Sequence, residues 1–188
     1  MSAYSLETFV ADCERLSKEG CDPCDCVQAI APLMRRLLCG DRGFLEPAHF
    51  RSDPEHYARN AIHIADNGLL SLFALVWLPG QWTPVHDHGT WGVVGVVEGV
   101  LEERNYIRLD PDRDKDRDIH LVRGGVILLG ETTVTSFVPN PDHIHVTGVP
   151  ADRPRAVSLH LYGRELSNFH VYDLEAGSRR LIEVEHFS

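Results

Sequence analysis

The sequence has few basic residues for its length. It carries 18 lysines and arginines against 28 aspartates and glutamates in 188 residues, which gives a formal net charge of −10 at pH 7. A protein that binds nucleic acid by neutralising phosphates needs a basic surface. The shortage of positive charge therefore argues against a nucleic-acid partner.

Long hydrophobic runs are also missing. The longest, residues 69–78, is interrupted by Ser71 and is far shorter than the roughly 20 residues that a membrane-spanning helix needs. Residues 1–7 lack the basic and apolar regions of a secretory signal peptide. We therefore expect no membrane association and a cytoplasmic location.

Cysteine is absent after residue 39. The five cysteines are Cys13, Cys21, Cys24, Cys26 and Cys39, and their odd number without an export signal predicts reduced thiols. The crowding at residues 21–26 raises the question of zinc, but a structural zinc site needs a second pair of ligands, and none stands nearby. The sequence assigns these cysteines no role.

The chain has enough apolar residues, 43%, for a globular protein with a sizeable core. Helical spacing of apolar residues marks two amphipathic segments near the N-terminus, one over residues 5–17 and one from Val27 to Leu37, which Gly40 ends. We expect two α-helices there.

From residue 57 onward the pattern changes to about nine short segments rich in Val, Ile, Leu and Thr, separated by Gly, Pro, Asp and Asn. The segments are residues 61–64, 69–78, 92–107, 119–129, 132–138, 145–149, 155–162, 169–172 and 181–186. Strands without intervening helices predict a mainly β fold, an antiparallel barrel or jelly roll. We expect a single domain over residues 1–188, with a helical segment 1–40 and a β-barrel 55–188.

Two histidines one residue apart dominate the middle of the chain. His86 and His88 would project from the same face of an extended strand, and imidazole is a common metal ligand. Their distance from Gly80 and Gly99 is similar to the first cupin motif, although Gly92 stands where that motif usually has a glutamate. This pattern predicts a metal site held by histidines alone; two surface histidines on a turn are the alternative.

Further candidates lie downstream. His143 and His145 each could supply a third metal ligand, and the spacing alone does not choose between them. Ser158, His160 and Tyr162 alternate with aliphatic residues, so they share one face of a strand. We interpret this face as a hydroxyl–imidazole–phenol relay that lines a pocket; a solvent-exposed face is the alternative.

Together these motifs resemble the cysteine dioxygenase family of thiol dioxygenases, over roughly residues 55 to 175. The matching pieces are Tyr57-Ala58-Arg59-Asn60, Pro84-Val85-His86-Asp87-His88, His145, and the stretch from Ala156 to Tyr162. The resemblance implies a cupin barrel that holds Fe(II) with three histidines. It also implies that L-cysteine and O2 are converted to cysteine sulfinic acid.

The resemblance also implies a role for each matching residue. The iron ligands would be His86, His88 and His145, the last because its distance to the serine of the relay agrees with the family. The outer-sphere relay would be Ser158, His160 and Tyr162. Arg59, which follows Tyr57, would bind the substrate carboxylate, a role suited to a guanidinium; a surface arginine is the alternative.

Two departures refine this expectation. Mammalian members link a cysteine to the relay tyrosine, but Gly92 stands at that position here, which indicates a bacterial-type enzyme. A branch of the family that acts on 3-mercaptopropionate carries glutamine where Arg59 stands and uses an arginine after the relay. Here the only arginine in that segment is Arg164, so the sequence favours cysteine, with 3-mercaptopropionate as the alternative.

Two other functions would fit three histidines in a cupin. A catalytic zinc site has the same ligands and an open position, but it would leave the relay and Arg59 without a task. A cupin could also bind a small anion as a non-catalytic sensor. We expect an enzyme, and we expect it to be a monomer.

Overall fold

The structure, a computed structural model, describes residues 4–18, 20–40, 42–139 and 142–188. Among these residues, two α-helices and two short 3-10 helices, Arg42–Phe44 and Pro47–Phe50, precede ten strands. The α-helices are α1 (Leu6–Leu16) and α2 (Pro23–Leu38), and the strands are β1 (Ala58–Ile64), β2 (Ser71–Trp77), β3 (Gly92–Glu98), β4 (Leu101–Arg108), β5 (Leu121–Leu129), β6 (Val134–Phe137), β7 (Ile144–Gly148), β8 (Ala156–Tyr162), β9 (Asn168–Asp173) and β10 (Ser178–Glu183). In the part of the chain described, no helix has the length and apolar character to cross a membrane.

Both predicted helices form, and each begins at a side-chain cap. Ser5 Oγ accepts a hydrogen bond from the Thr8 amide, and Asp22 Oδ1 accepts one from the Cys24 amide, which satisfies amides that a helix N-terminus leaves unpaired. The apolar faces of α1 and α2 join a core cluster with the outer face of the main sheet. The helices therefore close one side of the β structure.

The cysteine prediction needs a correction. Cys21 and Cys26 are paired as a disulfide, whereas Cys13, Cys24 and Cys39 are free. Cys21 lies directly before α2 and Cys26 lies in its first turns, so the helix start brings the two sulfurs together. The sequence argument considered only the cell compartment and missed this local geometry.

The predicted antiparallel β architecture is confirmed. The main sheet has the order β1-β2-β8-β3-β6, a second sheet has the order β5-β4-β7, and β9 pairs with β10. The segment 92–107, expected as one strand, is two strands because Gly99 turns the chain with φ +77°. A Cβ there would lie 3.0 Å from the Cα of Ala156.

Strand β8 lies between β2 and β3 and separates two environments. Its aliphatic residues Val157, Leu159 and Leu161 pack into the cluster that contains the helices. Its polar residues alternate with them and are also buried, so they face the interior between the sheets. The alternation read from the sequence therefore marks a lined interior rather than an exposed strand face.

The loop between β4 and β5 is rich in charged residues. Most of it is exposed, but it is organised around the Arg108 side chain, which is fully buried. Arg108 pairs with Asp110 and donates hydrogen bonds to the backbone carbonyls of Asp112, Arg113 and Lys115. One guanidinium thus satisfies several carbonyls of the loop.

The end of β7 packs tightly against the segment that leads to His86. A Cβ on Gly148 would lie 2.8 Å from the Cα of Trp82 and closer still to the carbonyl oxygen of Gln81. We expect Gly148→Ala to lower the free energy of unfolding by about 1–3 kcal/mol, as overpacking does. Urea unfolding measures this, with Gly125→Ala, which adds a methyl in open space, as the matched control. Equal stabilities of the two variants would contradict this packing.

Candidate metal centre and its pocket

The segment that carries His86 is fastened to two strands. The amide of His86 donates to the carbonyl of His145 on β7, and the amide of His145 donates back, each at 3.0 Å. On the other side, the amide of Asp87 donates to the carbonyl of His170 on β9, and the Asp87 carboxylate accepts from the hydroxyl of Tyr172 at 2.7 Å. Asp87 therefore points away from its two histidine neighbours.

Three buried histidines meet inside the barrel. The candidate ligand atoms of His86, His88 and His145 all lie within 4.8 Å of one another. Their ring centroids are 4.6 to 5.1 Å apart. No carboxylate belongs to this group among the described residues. The arrangement brings together the three histidines that the resemblance singles out.

The protonation of these rings suits a metal ion. Burial, followed by the neighbouring imidazoles, lowers the pKa of His86 and of His88 well below the usual value, so both rings are neutral near pH 7. His86 Nδ1 lies 3.0 Å from the Pro84 carbonyl oxygen. Because a carbonyl only accepts, Nδ1 carries the hydrogen and Nε2 has a free lone pair.

Three ring nitrogens of the central histidines are buried and have no hydrogen-bond partner in the described part of the chain: His88 Nδ1 and both nitrogens of His145. A buried polar atom without a partner is unfavourable, and a metal ion would use such lone pairs. The residues present therefore fit a metal bound by neutral nitrogen ligands.

Glu103 on β4 is a neighbour that the sequence did not predict. Its carboxylate lies 3.3 Å from His145 Nδ1 and 3.5 Å from His143 Nε2. Burial alone would raise the pKa of Glu103, but the contacts with the two histidines outweigh it and hold that pKa well below its usual value. His143 thus belongs to a second group around Glu103 rather than to the three-histidine group.

The position of Glu103 gives a prediction for metal affinity. A carboxylate beside the second nitrogen of a metal-binding histidine orients the ring and makes it more basic, and its loss costs about 10–100-fold in affinity. We expect Glu103→Gln to weaken metal binding by a factor in this range. Titration of the metal-free protein with Co(II) measures it, and Glu102→Gln on the same strand is the control. Equal affinities in the two variants would exclude this role.

The polar residues of β8 form a continuous line of hydrogen bonds. Ser158 Oγ lies 2.8 Å from His160 Nε2, and His160 Nδ1 lies 3.1 Å from the Tyr162 hydroxyl. The line continues to Trp77 on β2, whose indole nitrogen donates to Ser158 Oγ at 2.9 Å. The sequence missed Trp77 because it is part of a continuously buried apolar strand.

A small cavity connects these groups. It is lined by the three central histidines, by His160 and Tyr162 of the relay, and by Trp77, Tyr57 and Arg59, among others. Tyr57 stacks on Trp77 with ring centroids 4.6 Å apart. The candidate metal ligands and the relay hence face one common space.

Arg59 is buried, not a surface arginine. Its Nη2 donates to the Leu166 carbonyl at 2.7 Å, and its guanidinium lies over the Phe73 ring at 4.5 Å. Its Nη1 is buried and has no hydrogen-bond partner among the described residues. A buried cation with a free donor in a cavity is suited to an anionic group of a ligand.

Arg164 has a different environment. Its guanidinium donates to the carbonyl of His88 and to the Asn168 side chain, and the described residues that line the cavity do not include it. These contacts tie the segment after β8 to the histidine segment. Arg164 is therefore occupied by structural contacts, whereas Arg59 makes one such contact, to the Leu166 carbonyl, and keeps an unpaired donor.

Two further residues bear on the shape of the pocket. Trp82 does not line the inner cavity and packs under Arg104, whose Cζ lies 4.3 Å from the centroid of the indole ring. Gly92 pairs with Tyr162 across β3 and β8 and has no side chain, so the tyrosine is free of a thioether at that position. The Phe137 ring fills the space beside Gly92.

The observation that identifies the family is a match of most of the chain to one family model. The model described as cysteine dioxygenase type I matches residues 27–175. The chain belongs to the cysteine dioxygenase type I family. The match confirms the resemblance that the motifs indicate and, with it, the cupin-type fold. Membership of this family supports the activity of a thiol dioxygenase. The three-histidine group lies inside the matched region.

Comparison with solved structures gives more distant similarities. An oxalate oxidase in complex with glycolate is 16% identical, with TM-score 0.46, over 66% of this chain and 61% of that one. The protein TT1209 of Thermus thermophilus is 16% identical, with TM-score 0.45, over 62% and 90%. A cupin-like protein of Thermotoga maritima is 14% identical, with TM-score 0.43, over 74% and 88%. At these levels the neighbours carry no argument about function.

Proposed function

We propose that this member of the cysteine dioxygenase type I family oxidises L-cysteine with O2 to cysteine sulfinic acid, with Fe(II) held by His86, His88 and His145. Both oxygen atoms of O2 end on the sulfur, so no other reductant or oxidant is needed. The observation that carries the proposal is the buried three-histidine group in one cavity with the unpaired donor of Arg59.

The iron, when bound, supplies the redox chemistry that lets a thiol react with O2, and the protein supplies position and field. The neutral imidazoles add no negative charge to the centre. A thiolate substrate would offset part of the charge of the metal. The uncompensated charge of the metal therefore favours a substrate that binds as a thiolate over a neutral ligand.

The choice of cysteine rests on Arg59. A guanidinium binds a carboxylate with two parallel hydrogen bonds, and Arg59 has a buried Nη1 available. A groove of about 540 Å³ shares Tyr57 and Arg59 with the inner cavity, so both residues stand between the outside and the histidines. We infer that the carboxylate binds there while the thiol points inward.

The relay would act on protons at the sulfur and oxygen atoms of the reactants. Burial raises the pKa of Tyr162 above its usual value, so its hydroxyl stays protonated and can donate a hydrogen bond in the cavity. His160 and Ser158 hold that hydroxyl in place. In this proposal Tyr162 touches the reactants, and His160 and Ser158 orient it.

The alternative substrate is 3-mercaptopropionate, which would also need a cation for its carboxylate. The contacts that occupy Arg164 favour Arg59 as that cation, as expected for cysteine. A zinc hydrolase or an anion sensor would leave the buried relay unused. The single domain, the monomeric state and the cytoplasmic location stay predictions from the sequence.

Oxygen uptake tests the function directly. Iron-loaded protein is supplied in turn with L-cysteine, 3-mercaptopropionate and cysteamine, and O2 consumption is followed with an electrode. We expect the highest kcat/KM with L-cysteine. A higher value with 3-mercaptopropionate would assign the alternative substrate, and a lack of uptake with all three thiols in a protein that binds iron would favour the sensor.

A further inference from the structure

Trp77 extends the line of hydrogen bonds through Ser158, His160 and Tyr162. The antiparallel pairing of β2 with β8 brings the indole to Ser158 Oγ, at 2.9 Å. All four side chains are buried. Because an indole N–H can only donate, the direction of the hydrogen bond at this end of the line is fixed.

That direction has a consequence for His160. Burial lowers the pKa of His160 to about 3, so its ring is neutral near pH 7 and only one of its nitrogens carries a hydrogen. If Nδ1 carries it, Ser158 accepts from Trp77 and donates its own hydrogen to Nε2. Each of the three hydrogen bonds then has one donor and one acceptor, and the one hydrogen left over is that of the Tyr162 hydroxyl, which lines the cavity.

The other tautomer is less favourable. If Nε2 carries the hydrogen, Ser158 Oγ accepts from both Trp77 and His160, and its own hydroxyl hydrogen has no acceptor in the part of the chain that the structure describes. A buried donor without an acceptor loses its hydration without compensation. Ser158 does not line the cavity, whereas Tyr162 does, so a hydrogen left over on Tyr162 can reach an acceptor in the cavity and one left over on Ser158 cannot. The indole therefore favours the hydrogen on Nδ1.

We propose that Trp77 is a positioning residue that sets the direction of the relay, from its indole N–H through Ser158 and His160 to the oxygen of Tyr162. With this direction His160 Nδ1–H donates to the Tyr162 oxygen, at 3.1 Å. The hydroxyl hydrogen of Tyr162 is then free to donate into the cavity. With the opposite direction, the Tyr162 hydroxyl would donate its hydrogen to His160 Nδ1, and its oxygen could only accept a hydrogen bond from a ligand.

This inference rests on the proposed function for the use of the Tyr162 hydrogen, but the tautomer itself depends on neither metal nor substrate. It can therefore be tested on metal-free protein. Nitrogen NMR of the isotopically labelled protein reports which ring nitrogen of His160 carries a hydrogen. For the native sequence we expect Nδ1 to be protonated and Nε2 to be unprotonated.

The decisive variant is Trp77→Phe, which removes the indole N–H and keeps an aromatic ring on Tyr57. We expect a mixture of tautomers, with Nε2 protonation now detectable, because Ser158 is free to rotate. Trp82→Phe, outside the cavity, is the matched control and should leave the His160 signals unchanged. If Trp77 served only to fill space, a folded Trp77→Phe variant would keep the same single tautomer of His160.

Two results would overturn the proposal: a hydrogen on Nε2 in the native protein, or an unchanged single tautomer in folded Trp77→Phe. If that variant does not fold, slow solvent exchange of the Trp77 indole hydrogen, which Ser158→Ala should accelerate, tests the same bond. Exchange that is fast in the native protein, or unaffected by Ser158→Ala, would contradict it. Failure to oxidise cysteine would leave these readings intact, so the two proposals can fail separately.

Discussion

His145→Ala is expected to weaken Fe(II) binding by roughly a hundredfold and to abolish oxygen uptake at limiting iron. Structural zinc sites with four ligands bind their metal with a free energy of about 10–16 kcal/mol. One ligand therefore contributes about 3 kcal/mol, which corresponds to roughly a hundredfold in affinity. Anaerobic titration against a competing chelator measures the dissociation constant. The expectation rests on the position of His145 within 4.8 Å of the other two candidate ligands.

The matched control is His143→Ala, two residues away on the same segment. His143 contacts Glu103 and stacks on Phe137 with ring centroids 4.4 Å apart, and it is not in the three-histidine group. We expect this variant to keep its iron. Loss of iron in His143→Ala with retention in His145→Ala would reverse the assignment of the third ligand.

Arg59→Gln is expected to reduce kcat/KM for L-cysteine by roughly 30-fold or more, mainly through KM. Truncating one partner of a buried charge pair costs about 2–5 kcal/mol, because the other charge stays buried and unpaired. Glutamine keeps a donor but not the charge or the fork of the guanidinium. Steady-state oxygen consumption over a range of cysteine concentrations measures both constants.

Cysteamine, which lacks the carboxylate, is the internal control for Arg59. Its turnover should change little in Arg59→Gln, so the preference for cysteine over cysteamine should collapse. Arg155→Gln, at an exposed ion pair with Glu98, should behave like the unmodified protein. If Arg59→Gln keeps cysteine turnover and Arg164→Ala removes it, the carboxylate is bound by Arg164 instead.

Much of this site could be predicted from local periodicity. Side chains two apart on extended backbone share a face, which places His86 with His88 and Ser158 with His160 and Tyr162 whatever the rest of the fold. The two helices follow in the same way from apolar spacing and from caps such as Asp22. These features depend on neighbours in the chain, so the sequence displays them.

What the sequence does not display depends on how distant strands pair. Trp77 reaches Ser158 across a separation of 81 residues, through the register of β2 against β8. Glu103 reaches His145 because β4 lies beside β7. Both residues sit in segments that read as ordinary strand, and only the pairing makes them neighbours of the site.

The central claim is tested most directly by the fate of oxygen. Fe(II)-loaded protein is given L-cysteine under isotopically labelled dioxygen, and the product is analysed by mass spectrometry. The account predicts cysteine sulfinic acid with both of its new oxygen atoms labelled. Cystine with reduced oxygen as the products, or a sulfinic acid that carries only one labelled atom, would contradict it.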